Sequence, residues 1–293
     1  MYFKIKVSLK RASYIDLEFC DMAHKATHAS NNPFGMRLVP TKHQVTYPYI
    51  DPEKAQASDA KVLVTGASKG IGLAIVKSYA RAGTSAIALF ARSNLDAAAK
   101  EVLDAARKAG RKEPRILKLQ ADIGDSSAVE RAMKTVSEEF GYLDVLVNNA
   151  SRLETWHPMA QTDVEDWWKT WEVNVKGTYL VTRSALPLLL KGKLKTIVTV
   201  SSAGALATIP GGSAYQSTKF AQLRFHDFLM AEYGQQGLIA FAVHPCSAPT
   251  ETALNMPESM HFILTETPEL AADTITWMTR TRREWYFYHS PEC

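Results

Sequence analysis

The chain has 293 residues, 46% hydrophobic and 22% charged, with a net charge of +4. That balance excludes a disordered segment and allows a sizeable core, and the mild charge, with no basic stripe interleaved with aromatics, implies no nucleic-acid partner. Three widely spaced cysteines, Cys20, Cys246 and Cys293, argue against a disulfide framework or a zinc site and fit a reducing compartment.

Residues 1–59 have weak periodicity and many turn formers ("NNPFG", "VPTKHQ", "YPYIDPEK"), and read as an N-terminal extension. The opening "MYFKIKVSLKRASYIDLEFCD" has no uninterrupted apolar core, and Asp16, Glu18 and Asp21 make it too acidic for a mitochondrial presequence. The most apolar stretch, "ALPLLL" (185–190), is bracketed by Arg183 and Lys191, far short of the ~18–20 residues that cross a bilayer. No membrane partner and a cytoplasmic location are expected.

From Lys61 apolar runs alternate with stretches of helical spacing. The runs are "KVLVTG" (61–66), "SAIALFA" (85–91), "RILKLQAD" (115–122), "LDVLVNNA" (143–150), "KTIVTVSS" (195–202) and "LIAFAVHP" (238–245). Runs apolar on both sides of the pleat, joined by helices, predict a parallel sheet covered on both faces. The expected architecture is a single Rossmann-like, doubly wound α/β domain of three layers, α/β/α, over 60–293. "TDVE" (162–165) reads as a capping box, Thr267–Pro268 as an N-cap and N1 proline, and "YGQQG" (233–237) as the end of a helix. "ETALNMPESMHF" (251–262) reads as a small helical lid, and "WYFYHSPEC" as a poor candidate for a last strand.

"VLVTGASKGIGLAI" (62–75) follows the first strand and runs into a helix. Gly66 permits a tight turn, Gly70 a close backbone approach and Gly72 the packing of helix on strand. The helix N-terminus then offers free N–H groups to a pyrophosphate. Further along, "YQSTK" puts Tyr215 and Lys219 one helical turn apart on one face.

"TGASKGIG" (65–72), "NNAS" (148–151), "VNVKG" (173–177), "TVSSAG" (199–204) and "YQSTK" (215–219), in this order, resemble the short-chain dehydrogenase/reductase superfamily in its compact branch, over about 60–280. The resemblance implies a nucleotide held by Gly66, Ser68, Lys69, Gly70, Ile71, Gly72 and Asn149. It implies Asp122 on the adenine, with Ile123 alongside, and Thr250 on the nicotinamide carboxamide. Arg92 stands where an NAD enzyme would carry Asp or Glu. With Lys69 it suits a 2′-phosphate, so NADP(H) is favoured over NAD(H).

Carbonyl reduction needs an acid at the carbonyl oxygen, and the resemblance assigns this to Tyr215, with Lys219 expected to lower its pKa and bond the nicotinamide ribose. Ser202 would hold the substrate oxygen, and Asn174 would tether a water leading from Lys219 to solvent. The implied activity interconverts a carbonyl and an alcohol. Motifs such as "TYPYIDPEK" resemble filamentous-fungal members, some acting in secondary metabolism, which makes a polyketide-like, alicyclic or aromatic ketone plausible. Helices around 163–190 and 215–233 would form a homodimer or homotetramer interface. The departure is "HPCSAPT" (244–250), where Cys246 replaces a family glycine and would be strained at positive φ. That departure and the abbreviated C-terminus leave open a nucleotide-binding sensor or scaffold without turnover. A sugar-nucleotide epimerase fits poorly, because too little chain follows Lys219 for a second domain.

Overall fold

Val62, Leu63 and Val64 are all fully buried, because consecutive side chains of their strand enter different cores: Leu63 one, Val62 and Val64 the other. The strand belongs to a sheet with helices on both faces, in a computed structural model that describes residues 41–56 and 58–283. The strands are β1 (Ser58–Thr65), β2 (Thr84–Ala91), β3 (Arg115–Gln120), β4 (Val145–Asn148), β5 (Thr196–Val200) and β6 (Ile239–Val243). All pair in parallel, in the order β3-β2-β1-β4-β5-β6. The direction of winding reverses between β1 and β4, where a crevice opens beyond the strand ends.

Helices α1 (Gly70–Arg81), α2 (Asp96–Lys108) and α7 (Pro268–Thr279) cover one face. On the other lie α3 (Ser126–Phe140), α5 (Thr178–Leu189) and α6 (Ser213–Tyr233). Helix α4 (Val164–Trp171) runs into α5 through a π-turn, Glu172–Gly177. This is the expected three-layer architecture.

Local signals fared differently. Asp125 caps α3 through the Ala128 N–H, and α6 closes through a 3₁₀ turn to Gly237 at φ 86°. The cap of α4 is Asp163, not Thr162: the Asp163 carboxylate accepts the Asp166 N–H at 2.7 Å, while the Thr162 hydroxyl donates back to Met159. Thr267 sits at the N-cap of α7 before Pro268, but its hydroxyl makes no capping bond. The expected lid helix is two 3₁₀ turns, Ala253–Asn255 and Glu258–Ile263, because Pro257 between them supplies no N–H and disfavours helical backbone before it. The candidate strand "WYFYHSPEC" lies outside the described residues, as does most of the N-terminal extension.

The compact unit begins at His43. Ile50 is buried, the Gln44 carbonyl accepts the Thr267 N–H, and Arg111 donates to the carbonyls of Glu53 and Ala55. The firmest tie is Asp273 on α7, wholly buried, which accepts from the Thr46 hydroxyl and from Arg81 of α1, each at 2.5 Å. Arg81→Ala leaves that carboxylate buried with a single hydroxyl donor. A loss of about 3 kcal/mol of unfolding free energy is expected, read from the denaturant midpoint.

Candidate active site

The first strand–helix junction leaves no room for side chains. Gly66 has φ +68°, and a Cβ there would stand 2.9 Å from the Asn149 amide nitrogen; one on Gly72 would stand 2.1 Å from the Gly66 carbonyl oxygen. Asn149 braces this turn by donating from Nδ2 to the Thr65 carbonyl at 3.0 Å. The Thr65 hydroxyl in turn accepts the N–H groups of Asn149 and Ala150, both at 3.0 Å, and so joins the ends of β1 and β4. Helix α1 starts without a side-chain cap, leaving its first-turn N–H groups available to a phosphate. The cradle fits a dinucleotide. Ser68 is half-buried in the loop, and Ile71 packs against the core beneath it.

The residues expected to read the ribose and adenine lie at the ends of β2 and β3. Arg92 is exposed, with its guanidinium 3.8 Å from the Asp122 carboxylate. Asp122 also accepts the Gly124 N–H, and Ile123 is buried against Gly177. Lys69, the second expected cation, pairs with Glu251 at 2.5 Å on the surface. Both cations thus face a carboxylate, which weakens the positive field on which the sequence reading relied.

Tyr215 and Lys219 share the sheet-facing side of α6. Lys219 is 1% exposed, donates from Nζ to the Val200 carbonyl at 2.8 Å and lies 5.5 Å from the centre of the Tyr215 ring. Burial pulls its ammonium down to about 7. Tyr215 was expected to be lowered by this lysine; instead burial pushes its phenol above the ordinary value, the Ser202 hydroxyl opposing and Glu154 adding to the rise. A cation that has itself become easy to deprotonate stabilises a phenolate poorly, so desolvation wins over the pair's attraction. Ser202, half-buried at the end of β5, also accepts the Gly204 N–H at 3.0 Å.

Asn174 is wholly buried in the π-turn. Its Oδ1 accepts from Ser151 and Arg152, its Nδ2 donates to the Arg152 carbonyl and the Thr218 hydroxyl, and its own carbonyl accepts from Gln222. The side chain therefore retains no group to tether a water toward Lys219. It fastens the loop after β4 to α6.

Cys246 is free of the anticipated strain, since the left-handed backbone among described non-glycine residues belongs to Lys195, at φ 47°. Burial and Glu266 push the Cys246 thiol up to about 12, which leaves it inert. Its loop is latched by Glu266, which accepts the Ser247 N–H with its side chain and donates its own N–H to the Ser247 carbonyl. Thr250 is thereby set against Gly70, whose Cβ would lie 3.4 Å from the threonine methyl. His226 is buried and held neutral, drawn down to about 4, away from these groups on α6.

Sequence reasoning missed Glu154. Its carboxylate is 2% exposed, and accepts the N–H groups of Ala214 at 2.9 Å and Tyr215 at 2.9 and 3.0 Å. Helix α6 has no cap of its own, since Gly212 stands at that position. The available signal was a lone carboxylate in "SRLETW", directly after the motif at the end of β4. Thr65, Arg152 and Glu266 were missed likewise.

A dinucleotide cradle at the switch point of a doubly wound sheet, with a tyrosine and a lysine beside it, defines the class as oxidoreductase. The chain belongs to the short chain dehydrogenase family, whose model matches residues 60–261. The short chain dehydrogenase citE of Monascus ruber is 51% identical over 251 residues, which are 86% of each chain. A short chain dehydrogenase from Burkholderia cenocepacia J2315, solved in complex with NADP, matches with a TM-score of 0.66 and 28% identity over 76% of this chain and 91% of that one. NADH-dependent reductase A1-R′, complexed with NAD, shares the fold with a TM-score of 0.63 and 20% identity over 78% and 91%. Among the described residues there is no cluster able to hold a metal ion and no helix long and apolar enough to cross a membrane.

The lowered Lys219 has a consequence for stability. Between about 7 and its ordinary 10.5 the unfolded chain carries a proton on Lys219 that the folded chain lacks. Stability should therefore rise with pH from about 7, until the raised Cys246 thiol opposes it above about 9 and the raised tyrosines Tyr215 and Tyr79 above 10. Lys219→Met should flatten the rise in denaturant midpoints measured between about pH 7 and 9.

Proposed function

We propose that this protein interconverts a ketone or aldehyde with the corresponding alcohol, using NADP(H). The observation that carries the proposal is the grouping of Ser202, Tyr215 and Lys219 at the end of β5, with the Thr250 loop lying on the glycine cradle. Gly66, Ser68, Gly70, Ile71, Gly72, Asn149 and Thr250 would hold the nucleotide, with Asp122 and Ile123 at its adenine. When bound, a reduced nicotinamide supplies the hydride.

The chain does the rest. The Ser202 hydroxyl holds the carbonyl oxygen, and Tyr215 gives that oxygen its proton as charge develops there, becoming phenolate. A phenol at or above its ordinary value is protonated at neutral pH, so the acid needed for reduction is present there. Lys219 stabilises the phenolate when it carries its own proton. Arg92, with Lys69, receives the 2′-phosphate by exchanging its exposed Asp122 partner for a more highly charged anion.

The filamentous-fungal relatives are in keeping with a substrate from secondary metabolism; our reading of it is a polyketide-like or other small alicyclic or aromatic ketone, met in the cytoplasm. Exposed Trp168 on α4, Tyr179 on α5, and Phe220 and Phe228 on α6 support a homodimer or homotetramer through these helices. The reading as a nucleotide-binding sensor without turnover leaned on the altered loop, where Cys246 is unstrained, and on the C-terminus, which lies outside the described residues.

Purified protein should oxidise NADPH with a panel of diketones and quinones. Tyr215→Phe should lower kcat by about 10²–10⁴-fold while NADPH affinity, measured by fluorescence titration, holds. Binding without turnover across the panel would restore the sensor reading. Arg92→Asp should weaken NADPH far more than NADH in the same titration; equal losses would refute the cofactor assignment.

A further inference from the structure

Tyr215 stands in the first turn of a helix whose only side-chain cap comes from another part of the chain. A helix N-terminus left bare frays, and a tyrosine there would sample directions useless for proton transfer. Glu154 closes that turn: Oε1 reaches both the Ala214 and Tyr215 N–H groups, and Oε2 takes a second bond from Tyr215. The loop that delivers it is itself tied down. Arg152 pairs with Asp166, Asp166 accepts the Thr155 N–H at 2.7 Å, and Asn174 holds Arg152 by both N–H and carbonyl. On the far side of Glu154, the His157 N–H bonds the Gly211 carbonyl at 3.2 Å.

We propose that Glu154 is a positioning residue of the reaction, whose buried carboxylate fixes the aim of Tyr215 and the electric field at its hydroxyl. The charged groups about Tyr215 are few. Lys219 lies on its own helix, Ser202 at the end of β5 is neutral, and the Arg152–Asp166 pair behind Glu154 cancels within itself. Glu154 is the carboxylate bonded to the Tyr215 N–H, and its charge adds to the rise that burial gives the phenol. It suits a reductase: the group that must donate a proton is kept from losing it to solvent.

The kinetic arm of the test rests on Tyr215 being the acid of the proposed reaction; the spectroscopic arm does not. Tyr215 ionisation is followed by ultraviolet tyrosinate absorbance, as the difference between each protein and the same protein carrying Tyr215→Phe. Glu154→Gln keeps one acceptor oxygen for both N–H groups, gives up the Oε2 bond to the Tyr215 N–H and removes the charge. Its Tyr215 titration should move to lower pH, and the high-pH fall of the reduction rate should move with it, at unchanged NADPH affinity. Glu154→Asp keeps the charge and withdraws the oxygens. It should leave the titration in place and lower kcat by about tenfold or more. A titration unmoved in Glu154→Gln overturns the field, and full kcat in Glu154→Asp overturns the aim; the Asp variant decides the latter even if the Gln variant does not fold. Should Tyr215→Phe itself keep turnover, the acid–base reading fails while the absorbance shift still judges Glu154.

Discussion

Covering a parallel sheet on both faces leaves few places where polar chemistry can survive. Every strand side chain from Val62 to Val64 and from Ile87 to Phe90 is shut in apolar surroundings, so functional groups collect where strands end and backbone N–H and C=O groups come free. The glycine cradle follows β1, Arg92 follows β2, Asp122 follows β3, Asn149 follows β4, Ser202 follows β5 and the Thr250 loop follows β6. The crevice at the β1–β4 reversal is held in shape by a small number of bonds, chief among them those converging on the Thr65 hydroxyl.

The same dryness governs Tyr215 and Lys219. In water a lysine ammonium beside a tyrosine would ease the loss of the phenol's proton; buried, each group resists its own charge more than it helps the other. Lys219 reaches a backbone carbonyl, which satisfies a donor without supplying a counter-charge, and the nearest full negative charge to Tyr215 is Glu154. The chain on its own thus holds a neutral phenol and an amine whose charged form burial disfavours. In the proposed reaction that phenol is the proton donor, and it reaches its anionic form only against the cost of burial.

What could be read in the sequence was what depends on neighbours along the chain. The alternation of apolar runs with helical spacing yielded the sheet and its layers, and Gly66, Gly70 and Gly72 were legible because a turn's steric demands fall on adjacent residues. Helical periodicity put Tyr215 and Lys219 one turn apart on one face, while their role as a pair was implied by the resemblance of the motifs around them. Asp163 instead of Thr162 as the cap of α4 was a one-residue error between two good capping side chains. Residues acting across the fold stayed hidden: Glu154 meets Tyr215 from another loop, Asn174 exhausts its amide on Arg152 and Thr218, and Glu251 and Glu266 act on partners brought near only by folding. The backbone of Cys246 could not be inferred from a replaced glycine, because the loop settles into a conformation any residue accepts.

The π-turn between α4 and α5 sets a phase. It places a surplus residue in the hydrogen-bond ladder, so α5 begins rotated relative to where an uninterrupted helix would put it. Each residue of an α-helix turns the chain by about 100°. Deleting one residue from 172–177 would let the helix run on evenly and swing Thr182 away from the Asn148 amide it now accepts from at 2.8 Å. It would also turn Asn174 out of its place between Arg152 and Thr218. The spacing of this stretch is thus under a tighter rule than its composition: many side chains could line it, but its length must stay constant for the site and the core to remain in register.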